Sequence, residues 1–164
     1  MLRKMADQTI SLATRVKLPN TNGLSMPQIH LGVYMMSSKE AYNAVHHALD
    51  AGYRAIDSAQ MYHNEKDVGT AIQEYLKAHP DVKREDIHYT TKLATNSDYD
   101  RARKSITQSV KACGLGYIDL FLLHSPYGGK EKRLESWRAV EDAVNDGEVR
   151  IGGVSNFGVR HVGA

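Results

Sequence analysis

A chain of 164 residues with one cysteine, Cys113, has no internal disulfide framework. A reducing compartment is the simpler setting for it, and Cys113 reads as a small, inert residue near a helix end. An excess of charge is also lacking, since 21 Lys and Arg against 19 Asp and Glu leave a formal net charge of +2. So small an imbalance gives no footing for a nucleic-acid partner. No run approaches the roughly 18 apolar residues of a membrane-spanning helix, and the opening MLRKMADQTISLATRVKL lacks the continuous apolar centre of a secretory signal. The expectation is a cytoplasmic protein with no membrane partner. Among the eight histidines, His46 and His47 are adjacent and so point to different parts of a helix surface. No His or Cys pair has the spacing of zinc ligands, and no metal site is expected.

What is present is ordinary globular material. Hydrophobic content of 41% and charged content of 24% argue against disorder. A chain of this size removes about 68–70% of its unfolded surface on folding, enough for a real core. There is no low-complexity linker and no shift of composition, so residues 1–164 are read as a single domain. TISLATRVKL alternates like a strand and leads into Pro19, Asn20, Asn22 and Gly23, which predicts a short hairpin over residues 9–26.

From residue 29 the pattern becomes strand, helix, strand, helix. Strands are predicted over 29–33 (IHLGV), 53–57 (YRAID), 87–92 (IHYTTK), 117–123 (YIDLFLL) and 149–154 (VRIGGV). They recur at roughly 30-residue intervals, the length of a βαβ unit. Between them, Ser37 and Glu40 have capping-box spacing, and Ala41, Val45, His46, Ala48 and Leu49 follow with helical period until Gly52. A second helix over about 65–78 turns Val68, Ile72, Tyr75 and Leu76 to one side, and a third over about 98–113 does so with Ala102, Ile106, Val110 and Cys113. In the fourth, Leu134, Trp137, Val140, Ala143 and Val144 share a face, with Trp137 read as core and KEKR at 130–133 as a solvated helix start. Such alternation implies a parallel sheet, because parallel neighbours need a helical crossover.

Parallel α/β sheets and barrels place their chemistry at the C-terminal ends of the strands. The second strand ends in Asp57 with Tyr62 just beyond it, the third in Lys92, the fourth in His124 and the fifth in Ser155 and Asn156. An acid, an ammonium, an imidazole and an amide at successive tips form a reactive set. A tyrosine is a poor acid at neutral pH, but a neighbouring ammonium favours the phenolate, and Lys92 can serve so while Asp57 keeps it charged and aimed. His124 can then hydrogen-bond a substrate oxygen. The set can polarise a carbonyl and give it a proton, a carbonyl so polarised invites hydride, and Ser155 with Asn156 can hold a carboxamide such as that of nicotinamide.

These residues stand in DAGYRAIDSAQMYHNEKDVG, TTKL, LLHSP and GEVRIGGVSNF. From about residue 25 to residue 161 the chain resembles the aldo-keto reductase superfamily, and taken together the four patterns are highly specific. The resemblance implies an α/β fold of the parallel (β/α)8 TIM-barrel type, with an N-terminal hairpin across the bottom. It implies a catalytic tetrad of Asp57, Tyr62, Lys92 and His124, with Tyr62 as proton donor, Lys92 and Asp57 as its tuners and His124 orienting the carbonyl. It also implies that Ser155 and Asn156 bind the nicotinamide carboxamide with Asp57 close to the cofactor, which is NADPH, with NADH as the alternative. The substrate class is then a small-molecule aldehyde or ketone, reduced to an alcohol. Tyr34 and Met35 follow the first strand, where the family has cofactor and substrate contacts, although plain loop packing explains them equally well. Tyr127, Gly128 and Gly129 read as a pocket rim.

Two departures from the family pattern matter. Where many members have Trp after the histidine, this chain has Ser125, so one aromatic wall of the pocket is absent. A complete barrel takes about 250 residues, so the expectation here is an incomplete barrel: the hairpin plus about five βα units. Open sheet edges invite self-association. The function expected is carbonyl reduction. The alternatives are a catalytically inactive reductase-like fragment acting as a binding or regulatory subunit, and a piece of a longer active enzyme.

Overall fold

The computed structural model describes residues 11, 12, 14–19, 21 and 23–162. Two short strands, β1 (Arg15–Lys17) and β2 (Ser25–Pro27), pair antiparallel. They form the described part of the predicted hairpin; residues 9, 10, 13, 20 and 22 of that prediction lie outside the described residues. Five parallel strands follow in the spatial order β3-β4-β5-β6-β7: β3 (Leu31–Gly32), β4 (Ala55–Asp57), β5 (His88–Leu93), β6 (Ile118–Leu123) and β7 (Val149–Val154). Helices α1 (Ser38–Asp50), α2 (Glu65–Ala78), α3 (Tyr99–Cys113) and α4 (Lys130–Asn145) provide the crossovers, and α5 (Val159–Val162) follows β7. Strands in sequence order with a helix between each pair make up one arc of a (β/α) barrel.

Local chemistry explains the helices. Ser37 and Glu40 form the predicted capping box of α1, each side chain meeting a backbone N–H of the other. Asp98 caps α3 by accepting from the Arg101 amide, and Gly114 closes that helix in the left-handed conformation. The apolar stripes of α1, α2 and α3 pack on the sheet, where Val45, Leu49, Val68, Ile72 and Ile106 join Tyr89 and Phe121 in one core. The fourth helix differs from its prediction. It buries Ser136, Ala139, Val140 and Ala143, while Leu134 is 48% exposed and Trp137 is half-buried. Trp137 packs against the core beside Gly152 of β7, and with Leu134 it lines a cleft next to that strand.

Strand starts also differ. The strands predicted to begin at 29 and 53 enter the ladder at Leu31 and Ala55. Tyr53 is still tied to the end of α1 through its N–H to the Ala48 carbonyl, and His30 folds back onto the Pro27 carbonyl. An apolar run marks burial, while the ladder starts only where the chain has cleared the preceding element.

The two faces of the sheet are distinct. Tyr89, Thr91 and Leu93 point to the helices, as the bond from Thr91 to Glu65 of α2 shows. His88, Thr90 and Lys92 take the other face. Parallel register sets Asp57 beside Thr90, and Lys92 beside Leu122, which brings the strand tips level. Gly153 leaves room on this inner face, since a Cβ there would lie 2.7 Å from Leu122 Cδ2.

Candidate active site

Strand β4 ends on Asp57, and the chain then turns through a 3-10 helix at Gln60–Tyr62, which places Tyr62 over the sheet's C-terminal edge. Lys92 is the penultimate residue of β5 and is only 6% exposed. A buried ammonium is costly unless oxygens replace its water. Its Nζ donates to Asp57 Oδ1 at 2.5 Å, to the Ser58 carbonyl at 2.8 Å and to the Tyr62 hydroxyl oxygen at 3.5 Å. Because the ammonium donates, the Tyr62 proton is free to point elsewhere.

His124 follows the last residue of β6 and meets the Tyr62 ring edge-on, with centroids 5.8 Å apart. Burial lowers its pKa from the ordinary histidine value, the Lys92 charge lowers it further, and Asp57 opposes both. Its Nδ1 is buried with no hydrogen-bond partner among the described residues. A neutral imidazole beside a tyrosine hydroxyl suits a neutral, hydrogen-bonding substrate oxygen.

These groups open onto a cleft of about 670 Å³ whose walls include Tyr34, Tyr62, Asn96, His124, Ser125 and Tyr127. Tyr34 lies 5.0 Å from the Tyr62 ring, centroid to centroid. Met35, the other candidate after the first strand, is 84% exposed and is not part of the cleft wall. Tyr127 forms part of the rim, whereas Gly128 and Gly129 shape the turn beyond it. With serine at position 125, Tyr34 and Tyr127 supply the exposed aromatic surface.

At the tip of β7, the Ser155 N–H extends the ladder by donating to the Leu123 carbonyl. Asn156 also lines the cleft, in a left-handed conformation with φ 62° that asparagine tolerates better than most residues. Its Nδ2 donates to the His124 carbonyl at 2.9 Å and to Ser155 Oγ at 3.1 Å, and no hydrogen bond among the described residues engages its Oδ1. An amide fixed on one side with a free carbonyl oxygen fits a carboxamide ligand.

All six residues singled out in the sequence therefore gather at one end of the sheet. Sequence reasoning missed Ser58, Asn64 and Asn96. Ser58 and Asn64 are buried beneath the Tyr62 turn, and Asn96 is buried in the loop after β5. Asn64 and Asn96 each bond backbone carbonyls of another loop, a pairing with no local sequence signal.

The model of the aldo/keto reductase family matches residues 25–164. An uncharacterized oxidoreductase of Schizosaccharomyces pombe is 53% identical over 151 residues, covering 92% of this chain and 53% of that protein. The methylglyoxal reductase DkgA of Escherichia coli is 38% identical over 149 residues, covering 91% and 51%. A crystal structure of an aldo/keto reductase from Brucella melitensis superposes with a TM-score of 0.83 at 39% identity, covering 92% of this chain and 56% of that one. The chain spans about half the length of the curated relatives it matches. On sequence and on fold alike, it belongs to the aldo/keto reductase family.

Proposed function

We propose that the chain carries the proton-donating half of a carbonyl-reducing site, in which an aldehyde or ketone becomes an alcohol. The observation that carries this reading is the Lys92 ammonium, held by Asp57 and Ser58 and donating to the Tyr62 oxygen at the wall of an open cleft. A binding module has no need of a buried ammonium aimed at a tyrosine, which weighs against an inactive subunit. A substrate carbonyl oxygen placed between Tyr62 and His124 accepts a hydrogen bond from each and takes its proton from Tyr62. Lys92, aimed by its bond to Asp57, donates to the Tyr62 oxygen and supplies the positive field that stabilises the charge developing there as the proton leaves. Ser155 and Asn156 are the residues that would hold the nicotinamide amide of NADPH, the bound cofactor being the source of hydride. The methylglyoxal reductase activity named for one relative makes a small aldehyde the first substrate to try. A reducing, cytoplasmic setting suits the buried Cys113, whose thiol pKa is pushed up by burial.

The test is Tyr62→Phe. Turnover of a small aldehyde with NADPH should fall by about 10²- to 10⁴-fold, the usual worth of a general acid. Calorimetric titration should find NADPH affinity nearly unchanged, because the phenol is not among the cofactor-binding residues. Equal turnover in the variant would sink the reading. Parallel titration with NADH decides the cofactor preference.

A further inference from the structure

We propose that Asn64 is a positioning residue for the reaction, a carboxamide clamp that fixes Tyr62 over Lys92; the inference rests on the carbonyl-reductase reading of the same site. Asn64 ends the turn that carries Tyr62 and His63 and precedes the first residue of α2. It is 1% exposed. Its Oδ1 accepts from Ser58 Oγ at 2.8 Å, and its Nδ2 donates to the Val33 carbonyl at 3.1 Å and to the Met36 carbonyl at 3.2 Å. One buried amide thus joins three parts of the site. Ser58 is the residue whose carbonyl receives the Lys92 ammonium. Val33 to Met36 is the loop that lays Tyr34 against the Tyr62 ring. His63, between Tyr62 and Asn64, sits at φ 56°, a strained conformation that persists only where its surroundings over-determine it.

The same device recurs across the cleft, where Asn96 Nδ2 donates to the Ser125 and Tyr127 carbonyls at 2.8 Å and 2.7 Å. That clamp holds the segment that follows His124 and the Tyr127 rim, on the substrate-binding side of the cleft. The Asn64 clamp holds the proton donor relative to the ammonium, and a misplacement of about 1 Å there costs on the order of 100-fold in rate. The two asparagines should therefore fail differently.

The experiment is Asn64→Asp and Asn96→Asp in the 164-residue chain, with steady-state kinetics on a small aldehyde and NADPH, and hydrogen–deuterium exchange by mass spectrometry. A carboxylate keeps the shape but cannot donate to either carbonyl. For Asn64→Asp, kcat should fall about ten- to hundredfold with KM changed less than about threefold, the sign of a lost transition-state arrangement. Asn96→Asp should mainly raise KM. Exchange in Asn64→Asp should quicken in residues 33–36 and 58–63 and stay unchanged across β5. Unchanged exchange in those loops, or a fall in kcat shared equally by both variants, overturns the proposal. If the parent chain gives no turnover but the loops still loosen as stated, the carbonyl-reductase reading fails and takes the positioning role with it, and Asn64 is a structural clamp only. Turnover in the parent with unchanged kcat in Asn64→Asp overturns the positioning role alone. Should Asn64→Asp fail to fold, Ser58→Ala removes the bond that the Asn64 side chain accepts from Ser58 and should move kcat and exchange in the same direction by less.

Discussion

Two basic side chains are buried on the inner face of β5, His88 and Lys92, and the fold treats them in opposite ways. Lys92 donates to three oxygens. His88 is 4% exposed, and its Nε2 finds no partner among the described residues. Burial, reinforced by the positive groups His30, Arg15, Arg84 and Arg150, lowers its pKa from 6.5 to about 3. It is therefore neutral in the folded chain at any physiological pH. Between pH 6.5 and about 3 the unfolded chain takes up a proton that the folded chain refuses, so stability falls as pH falls through that window. The slope is on the order of 1 kcal/mol per pH unit, or about 2 kcal/mol between pH 6.5 and pH 5. Urea unfolding at pH 7 and pH 5 should show that loss in the parent and a smaller one in His88→Asn. Equal losses in both would place the acid sensitivity elsewhere. Residues of this kind also mark the limit of sequence reading. Asp57, Tyr62, Lys92 and His124 are legible because each stands at or just past a strand tip, where position alone suggests a role. Asn64 and Asn96 are not, because their worth lies in carbonyls contributed by other loops.

At the scale of elements, helical period placed α1, α2 and α3 well, since their stripes match the face they bury. It missed how closely α2 and α3 approach. Gly69 in α2 lies against the end of α3, where a Cβ would stand 1.9 Å from the Cys113 carbonyl oxygen. Glycine costs a helix about 1 kcal/mol relative to alanine, so on propensity alone Gly69→Ala should stabilise. Contact reverses the sign, because the obstruction is backbone and cannot rotate away. The variant should lose about 3 kcal/mol, measured as a lower urea midpoint, as overpacking forces the two helices apart. A stabilised variant would mean that α3 yields at its C-terminus. The α4 stripe was misjudged for the complementary reason. Period counts apolar positions but not the neighbours that cover them: Trp137 packs on β7 beside Gly152 while staying half-buried, and Leu134 is left exposed at the edge of a cleft.

The described residues form an open arc whose β7 side exposes several apolar side chains. Among the described residues, strand β7 has a partner on one side only, β6. Beside it lies a cleft of about 370 Å³ lined by Leu123, Leu134, Trp137, Val154, Phe157 and Val162, in which Val154 is 40% and Val162 69% exposed. An unpaired strand edge next to exposed apolar side chains is a template for another chain, and proteins usually blunt such edges with charge. Here the described edge carries Arg150 at its start but Gly152, Gly153 and Val154 towards its end. The reading that follows is self-association of this 164-residue chain through β7. Sedimentation velocity over a range of protein concentrations should show a mass that rises with concentration. Val154→Lys with Leu134→Lys puts two ammonium groups on the apolar surface without touching the inner face that carries Lys92 and Asp57. The doubly substituted chain should sediment as a monomer where the parent does not, and its near-ultraviolet spectrum should keep the signature of a packed core. A parent that remains monomeric throughout would show that the β7 edge is protected by its own twist and short length rather than by a second chain.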